Sequence, residues 1–262
     1  MKRQLIAAFC VSCTVLAWTV SAPAEQIGNL VQLNVTVAAT SRDGLSTASH
    51  TFTITHGIID ADTLSEFTVV SPDSPYYLMS GSTVVGKITD LELGVQGDPV
   101  VKLKFAVTAG DTDTPFTITS AVVPVSPGYT GATGFASGAV TATDDGDDGV
   151  TLTGAFSGGK TFEALCNGSS VFGTPLINSL AATADVGSAS SSGSSGWQPI
   201  GGTVNAISSQ FQFVLSHGDD ASGTSSFQIQ APEPGSLTLA AIGGILALAA
   251  GFGRRWRMGR RG

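Results

Sequence analysis

Val101-Lys102-Leu103-Lys104-Phe105-Ala106-Val107 sets an apolar side chain at every second position, with lysines between the first three. Successive side chains of a strand point to opposite faces, so this stretch reads as a half-buried β-strand whose Val101, Leu103, Phe105 and Val107 face a core. The same period recurs on either side. Val31, Leu33, Val35 and Val37 alternate with Gln32, Asn34 and Thr36, and Phe52 and Ile54 alternate with Thr51, Thr53 and Thr55. Phe116, Ile118 and Val122 sit in a further run after Pro115. Later runs cover 135–143, 150–156, 161–165, 204–215 and 226–230. Asp43-Gly44, Gly97-Asp98-Pro99, Ser126-Pro127-Gly128 and Gly158-Gly159 punctuate them with turn residues. No body segment keeps a helical period over three turns. About ten to twelve short strands at this turn spacing predict an all-β body, an antiparallel β-sandwich of two sheets packed face to face.

Composition agrees. Only 12% of the 262 residues are charged and 7% aromatic, while Gly and Pro reach 33 and 11. Such a chain suits short strands and turns better than helices. The body spans 25–230, long enough for one core. The Ser/Gly tract 187–196 reads as a flexible surface loop, with a linker between two lobes as the alternative. Through Ala231 the body holds five basic residues against 19 of the chain's 20 acids, a net of −14. That charge repels phosphate backbones and argues against nucleic acid as a partner. Cys166 is the one cysteine of the body, so no internal disulfide can form there, and it reads as a small buried apolar residue.

Both ends look built for export. Residues 1–24 read as a signal peptide: Lys2 and Arg3 precede an uncharged apolar run, and Ala22-Pro23-Ala24 gives signal peptidase its small residues, with cleavage after Ala24. The segment 231–262 opens with Pro232-Glu233-Pro234, whose prolines hold the chain extended. Residues 236–253 carry no charge, and as a helix they would be about 27 Å long, enough to cross a bilayer core. Arg254, Arg255, Arg257, Arg260 and Arg261 follow in 254–262, an arginine block that stays on the cytoplasmic side and leaves the body outside.

A Pro-Glu-Pro motif, an apolar helix and a basic cluster, in that order, resemble the PEP-CTERM sorting domain. The resemblance covers about 30 residues and says nothing of the body's fold or ligand. It implies exosortase as a processing partner, transient residence in the inner membrane of a Gram-negative-type envelope, then display at the cell surface or release. It also implies an association with extracellular polysaccharide.

Signals of chemistry in the body are sparse. Phe52-Thr53-Ile54-Thr55-His56-Gly57 resembles Phe213-Val214-Leu215-Ser216-His217-Gly218, and if the two strands were neighbours His56 and His217 could share a metal with a nearby Asp. His50 lies too far along the same strand to join them. Asp144, Asp145, Asp147 and Asp148 crowd one Gly-containing loop, which offers calcium its oxygens but departs from the EF-hand order. The bland alternative is a charged hairpin tip that blunts a sheet edge. No nucleophile elbow, phosphate loop or dinucleotide fingerprint is present. Past Glu25 at its first position, the body's glutamates for a glycosidase-type pair are Glu66, Glu92 and Glu163, and Tyr76, Tyr77, Tyr129 and Trp197 are its candidate sugar-binding aromatics. The expectation is a non-enzymatic structural or adhesive surface protein; the alternative is a carbohydrate-binding module or glycan-active enzyme of the polysaccharide matrix.

Overall fold

A computed structural model describes residues 33–57, 59, 62–146, 149–172, 180–181 and 187–231. The leader 1–24 with Ala22 and Ala24, the tail with Pro232, Glu233, Pro234, Arg254, Arg255 and Arg257, and Asp147 and Asp148 lie outside the described residues. Among the described residues no helix is long and apolar enough to cross a membrane.

The strands in chain order begin with β1 (Leu33–Thr40), β2 (Thr47–Ile54), β3 (Ser65–Val70), β4 (Tyr76–Ser80), β5 (Thr83–Gln96) and β6 (Val100–Ala109). Next come β7 (Thr114–Thr119), β8 (Val123–Thr130), β9 (Thr133–Thr143), β10 (Thr151–Gly154), β11 (Phe162–Cys166) and β12 (Ser170–Phe172). Last are β13 (Leu180–Ala181), β14 (Ser188–Ser194), β15 (Gln198–Pro199), β16 (Thr203–Leu215) and β17 (Asp220–Gln230). One antiparallel sheet of nine strands follows the order β12-β11-β16-β7-β1-β2, with β8 and β10 on β16 and β13 on β10. The other, of eight strands, follows β14-β9-β17-β6-β5-β3, with β4 on β5 and β15 on β9. The body is therefore an all-β sandwich.

The alternation at 101–107 does what its period dictates. Val101, Leu103, Phe105 and Val107 are buried, and Lys102 and Lys104 stand on the outer face. Phe105 crosses the gap between the sheets. Its ring meets Phe211 edge-on at 4.9 Å and stacks on Phe213 at 5.9 Å. Phe213 continues to Phe116 at 5.7 Å, and Phe211 to Phe162 at 5.0 Å. These five rings come from both sheets and each is less than 2% exposed. Phe172 and Phe227 make a second cross-sheet stack at 5.1 Å. Ring pairs at these separations add about 0.5–1.5 kcal/mol each beyond the burial of their area.

Room for Phe105 comes from the neighbouring strand. Gly223 lies opposite it in the ladder, and a Cβ there would sit 2.5 Å from two of its ring carbons. The glycine is a packing requirement imposed by the aromatic.

Three expectations shift on the backbone. The Ser/Gly tract is strand, not loop: β14 pairs with β9 in unbroken register from Ser188↔Thr143 to Ser194↔Ser137. Small polar side chains leave no apolar period, but an edge strand needs only a backbone ladder, and Gly193 facing Gly138 keeps the approach free of side chains. Ser126-Pro127-Gly128 is no turn; it lies within β8, with a cis Ser126-Pro127 bond. Val122 is 54% exposed, while Ala121 and Val123 are buried. Between Thr119↔Gln210 and Val123↔Ile207 the pairing against β16 slips by one residue, and such a bulge turns every later side chain to the other face.

Replacing Phe105 with Ala should cost about 3–5 kcal/mol through the cavity left between the sheets. Gly223→Ala should cost about 1–3 kcal/mol by overpacking against the same ring. Denaturant midpoints of the two variants check this, and unchanged midpoints would contradict the packing described.

Candidate functional site

Several connections meet at one rim of the sandwich. The β16–β17 turn is tied to the segment after β6, with the Gly218 amide on the Gly110 carbonyl at 3.0 Å and the Ala109 amide on the Asp219 carbonyl at 2.9 Å. The β1–β2 hairpin brings Arg42, whose Nη1 lies 2.8 Å from Asp113 Oδ2. His217 Nδ1 stands 4.0 Å from the other oxygen of Asp113. Arg42, Asp43, Asp111, Asp113 and His217 line one open hollow of about 440 Å³.

The predicted histidine pair is not formed. His56 follows β2 at the end where Ile54 pairs with Leu33, and it packs edge-on against Phe67 at 5.0 Å. His217 follows Leu215, which pairs with Thr114 at the start of β7, beyond the Thr40 end of β1. β1 lies between these levels, and its eight residues span about 26 Å. The likeness between the two segments is one of local strand-to-turn chemistry, and β7 and β1 stand between their strands.

The aspartate cluster is different from a hairpin tip. β9 belongs to the eight-stranded sheet and β10 to the nine-stranded one, so the loop from Asp144 to Val150 crosses between layers. Asp144 is 7% exposed; its Oδ1 accepts the Gly149 amide at 3.1 Å, and its Oδ2 is buried with no hydrogen-bond partner. The β16–β17 turn, which also crosses between layers, brings Asp219 against it. Asp219 is fully buried, accepts the Asp145 amide on Oδ1 at 3.1 Å, and takes the Ser216 hydroxyl on Oδ2. The exposed Asp145 completes a group of three carboxylates, each offering an oxygen within 4.8 Å of the others. Asp219 was visible in the sequence only as an acid after His217; nothing local announced that it would face Asp144.

The remaining candidates disperse. Tyr76 and Tyr77 point to opposite faces of β4, so they form no platform. Tyr76 turns inward, its hydroxyl 2.8 Å from His50 Nδ1, with the His50 and Phe52 rings packed on it. Tyr77 is 52% exposed. Tyr129 packs against the core. Trp197 is 47% exposed and leans on Phe135 at 5.7 Å. An open groove of about 490 Å³ runs on the outer face of the eight-stranded sheet, lined by Ser137, Ser192, Ser194, Thr224 and Ser226 among others. Glu66 and Glu92 line a smaller hollow with Lys102 and Lys104 on that face, whereas Glu163 lies in the other sheet. Lys104 Nζ reaches Asp90 at 2.8 Å and Glu92 at 3.0 Å, and hydrogen bonds to these carboxylates, Asp90 first, raise its pKa.

No protein family and no curated protein matches this chain. Among solved structures it is similar to that of infectious bursal disease virus Gx strain, at 11% identity and a TM-score of 0.29, over 75% of this chain and 57% of that one. It is also similar to the adhesin domain of Epf from Streptococcus pyogenes, at 7% identity and a TM-score of 0.28, over 79% of this chain and 64% of that one. The chain thus spans less than two thirds of either structure it matches. Likenesses at this level carry no argument about activity.

Cys166 is buried on β11, and burial pushes its thiol up to about 11. A raised thiol pKa keeps the sulfur protonated and poorly nucleophilic at neutral pH. In the native protein Cys166 should therefore resist thiol reagents at pH 7–8 and react fully only once the body unfolds. Its share of stability is complete below the ordinary thiol range and is lost as pH rises from about 9 toward about 11. Rapid labelling of Cys166 itself at pH 7, read by peptide mass spectrometry, would contradict this placement.

Proposed function

We propose that this chain is an exported surface or extracellular-matrix protein, processed by an exosortase-type peptidase, whose β-sandwich has a structural or adhesive role and performs no catalysis. The observation that carries the reading is the order Pro232-Glu233-Pro234, an uncharged apolar run 236–253, then Arg254, Arg255 and Arg257. An apolar run with arginines on its far side favours a body held outside the membrane. The fold is compatible with this at its junction. β17 ends at Gln230, so the sorting motif begins two residues after a strand bound on both sides by β9 and β6. The acidic rim lies at the other end of that strand, about 36 Å away, which would leave it facing outward from an anchored body.

A second reading is glycan binding, favoured by Trp197 leaning on Phe135, which stands on the same face of β9 as Ser137 of the Ser/Thr-lined groove. An exposed indole beside rows of hydroxyls suits a sugar ring, whose apolar face can stack while its hydroxyls find partners.

Mass spectrometry of the protein from cells that make an exosortase should show a new C-terminus near 232–234. An intact chain ending at Gly262 in those cells would contradict the sorting proposal. On a glycan array, binding that disappears in Trp197→Ala supports the second reading, and no binding by the parent protein removes it.

A further inference from the structure

We infer that Asp144, Asp145 and Asp219 hold a single calcium ion, which clasps the β9–β10 connection to the β16–β17 turn. This goes beyond the proposed function and does not depend on export.

The ladder itself creates the site. Asp220 pairs with Thr143 in the β9–β17 register, so one further step sets Asp219 opposite Asp144. Like charges directly opposed across strands repel, and here both are buried, where solvent screens them least. A counter-charge relieves that arrangement. Arg42, at the same rim, is engaged by Asp113.

The oxygens are arranged for an ion rather than for one another. Asp144 Oδ2 is buried and has no hydrogen-bond partner, while Oδ1 of the same carboxylate is fixed by the Gly149 amide. Asp219 is held by donors on both oxygens and still keeps further lone pairs. Asp145 opens the group to solvent and would leave positions for water. Its approach depends on Gly218, where a Cβ would stand 2.6 Å from Asp145 Oδ2 and close the space. Calcium binds oxygen at about 2.3–2.6 Å, so two of its ligands can be no more than about 5 Å apart. The 4.8 Å limit on all three separations meets that condition. An all-oxygen set without His or Cys selects a hard cation, and calcium tolerates an irregular set of carboxylates and waters where magnesium demands a near-ideal octahedron.

The test is calcium titration by calorimetry, with thermal unfolding in EDTA and in calcium, on the full-length chain in mild detergent. The expected result is one saturable site per chain and an unfolding temperature that rises with calcium. In Asp144→Asn the side-chain oxygen can keep the Gly149 amide while an uncharged amide group replaces the unpartnered Oδ2. That variant should lose the calcium response, yet in EDTA it should unfold at or above the wild-type temperature, since a buried like-charge contact has gone. Asp145→Ala, at an exposed position, should weaken binding roughly ten-fold or more. Asp43→Asn, elsewhere on the acidic rim, should bind as the parent does. Absence of a saturable site, or parental affinity in both Asp144→Asn and Asp145→Ala, would overturn the inference.

Discussion

Phe105 fixes the distance and alignment between the two sheets, and much of the body follows from it. Its ring reaches from the eight-stranded sheet into the Phe211 and Phe213 pair of the nine-stranded one. Aromatic rings contribute only in offset or edge-on geometry, so the contact constrains rotation as well as spacing. Gly223 must then be glycine, because the ring occupies the place of its side chain. β16 carries both partner rings and pairs along its length with β7, β8, β10 and β11. A single long strand thereby ties most of one sheet to the ring that anchors the other.

The chain passes between the sheets many times, and two of these passages lie side by side at the acidic rim. The β9–β10 loop and the β16–β17 turn each join the two layers, and the pairing of β9 with β17 leaves their ends adjacent. Charge is concentrated where the layers are sewn together. An ion bound between Asp144 and Asp219 would act on the relation of the sheets, while Asp90 with Lys104, on an outer face, would affect only local order. The same frame puts the Gln230 end of β17, from which the chain runs on to Pro232, at one end of the strand and the acid rim at the other.

Strand identity was legible wherever apolar alternation ran uninterrupted, as at 33–37, 101–107 and 116–118, because burial of one face dictates that period. It failed where the backbone slips. β5 shifts register between Ile88 and Asp90, so the buried Ile88 falls out of step with Leu91, Leu93 and Val95, and the longest strand of the body shows no clean period. Val122 was misplaced by the same effect in the slip between β7 and β8. β14 escaped notice because its stability is a matter of backbone pairing, to which Ser and Gly lend no signature. At the site, the loop aspartates announced themselves as a charge run, but Asp219 could not. Its role arises from a ladder between distant strands, and no local pattern encodes which strand lies beside which. His56 and His217 illustrate the converse, alike in sequence and separated by the topology.

The central claim is that one core spanning both sheets makes the body a single cooperative unit rather than two lobes. Hydrogen exchange followed by mass spectrometry through increasing denaturant tests it most directly. Peptides from β16 and β11 of one sheet and from β6 and β17 of the other should become unprotected together, in one transition with a common midpoint. Exchange that exposes one sheet at a distinctly lower denaturant concentration, while the other stays protected, would contradict it.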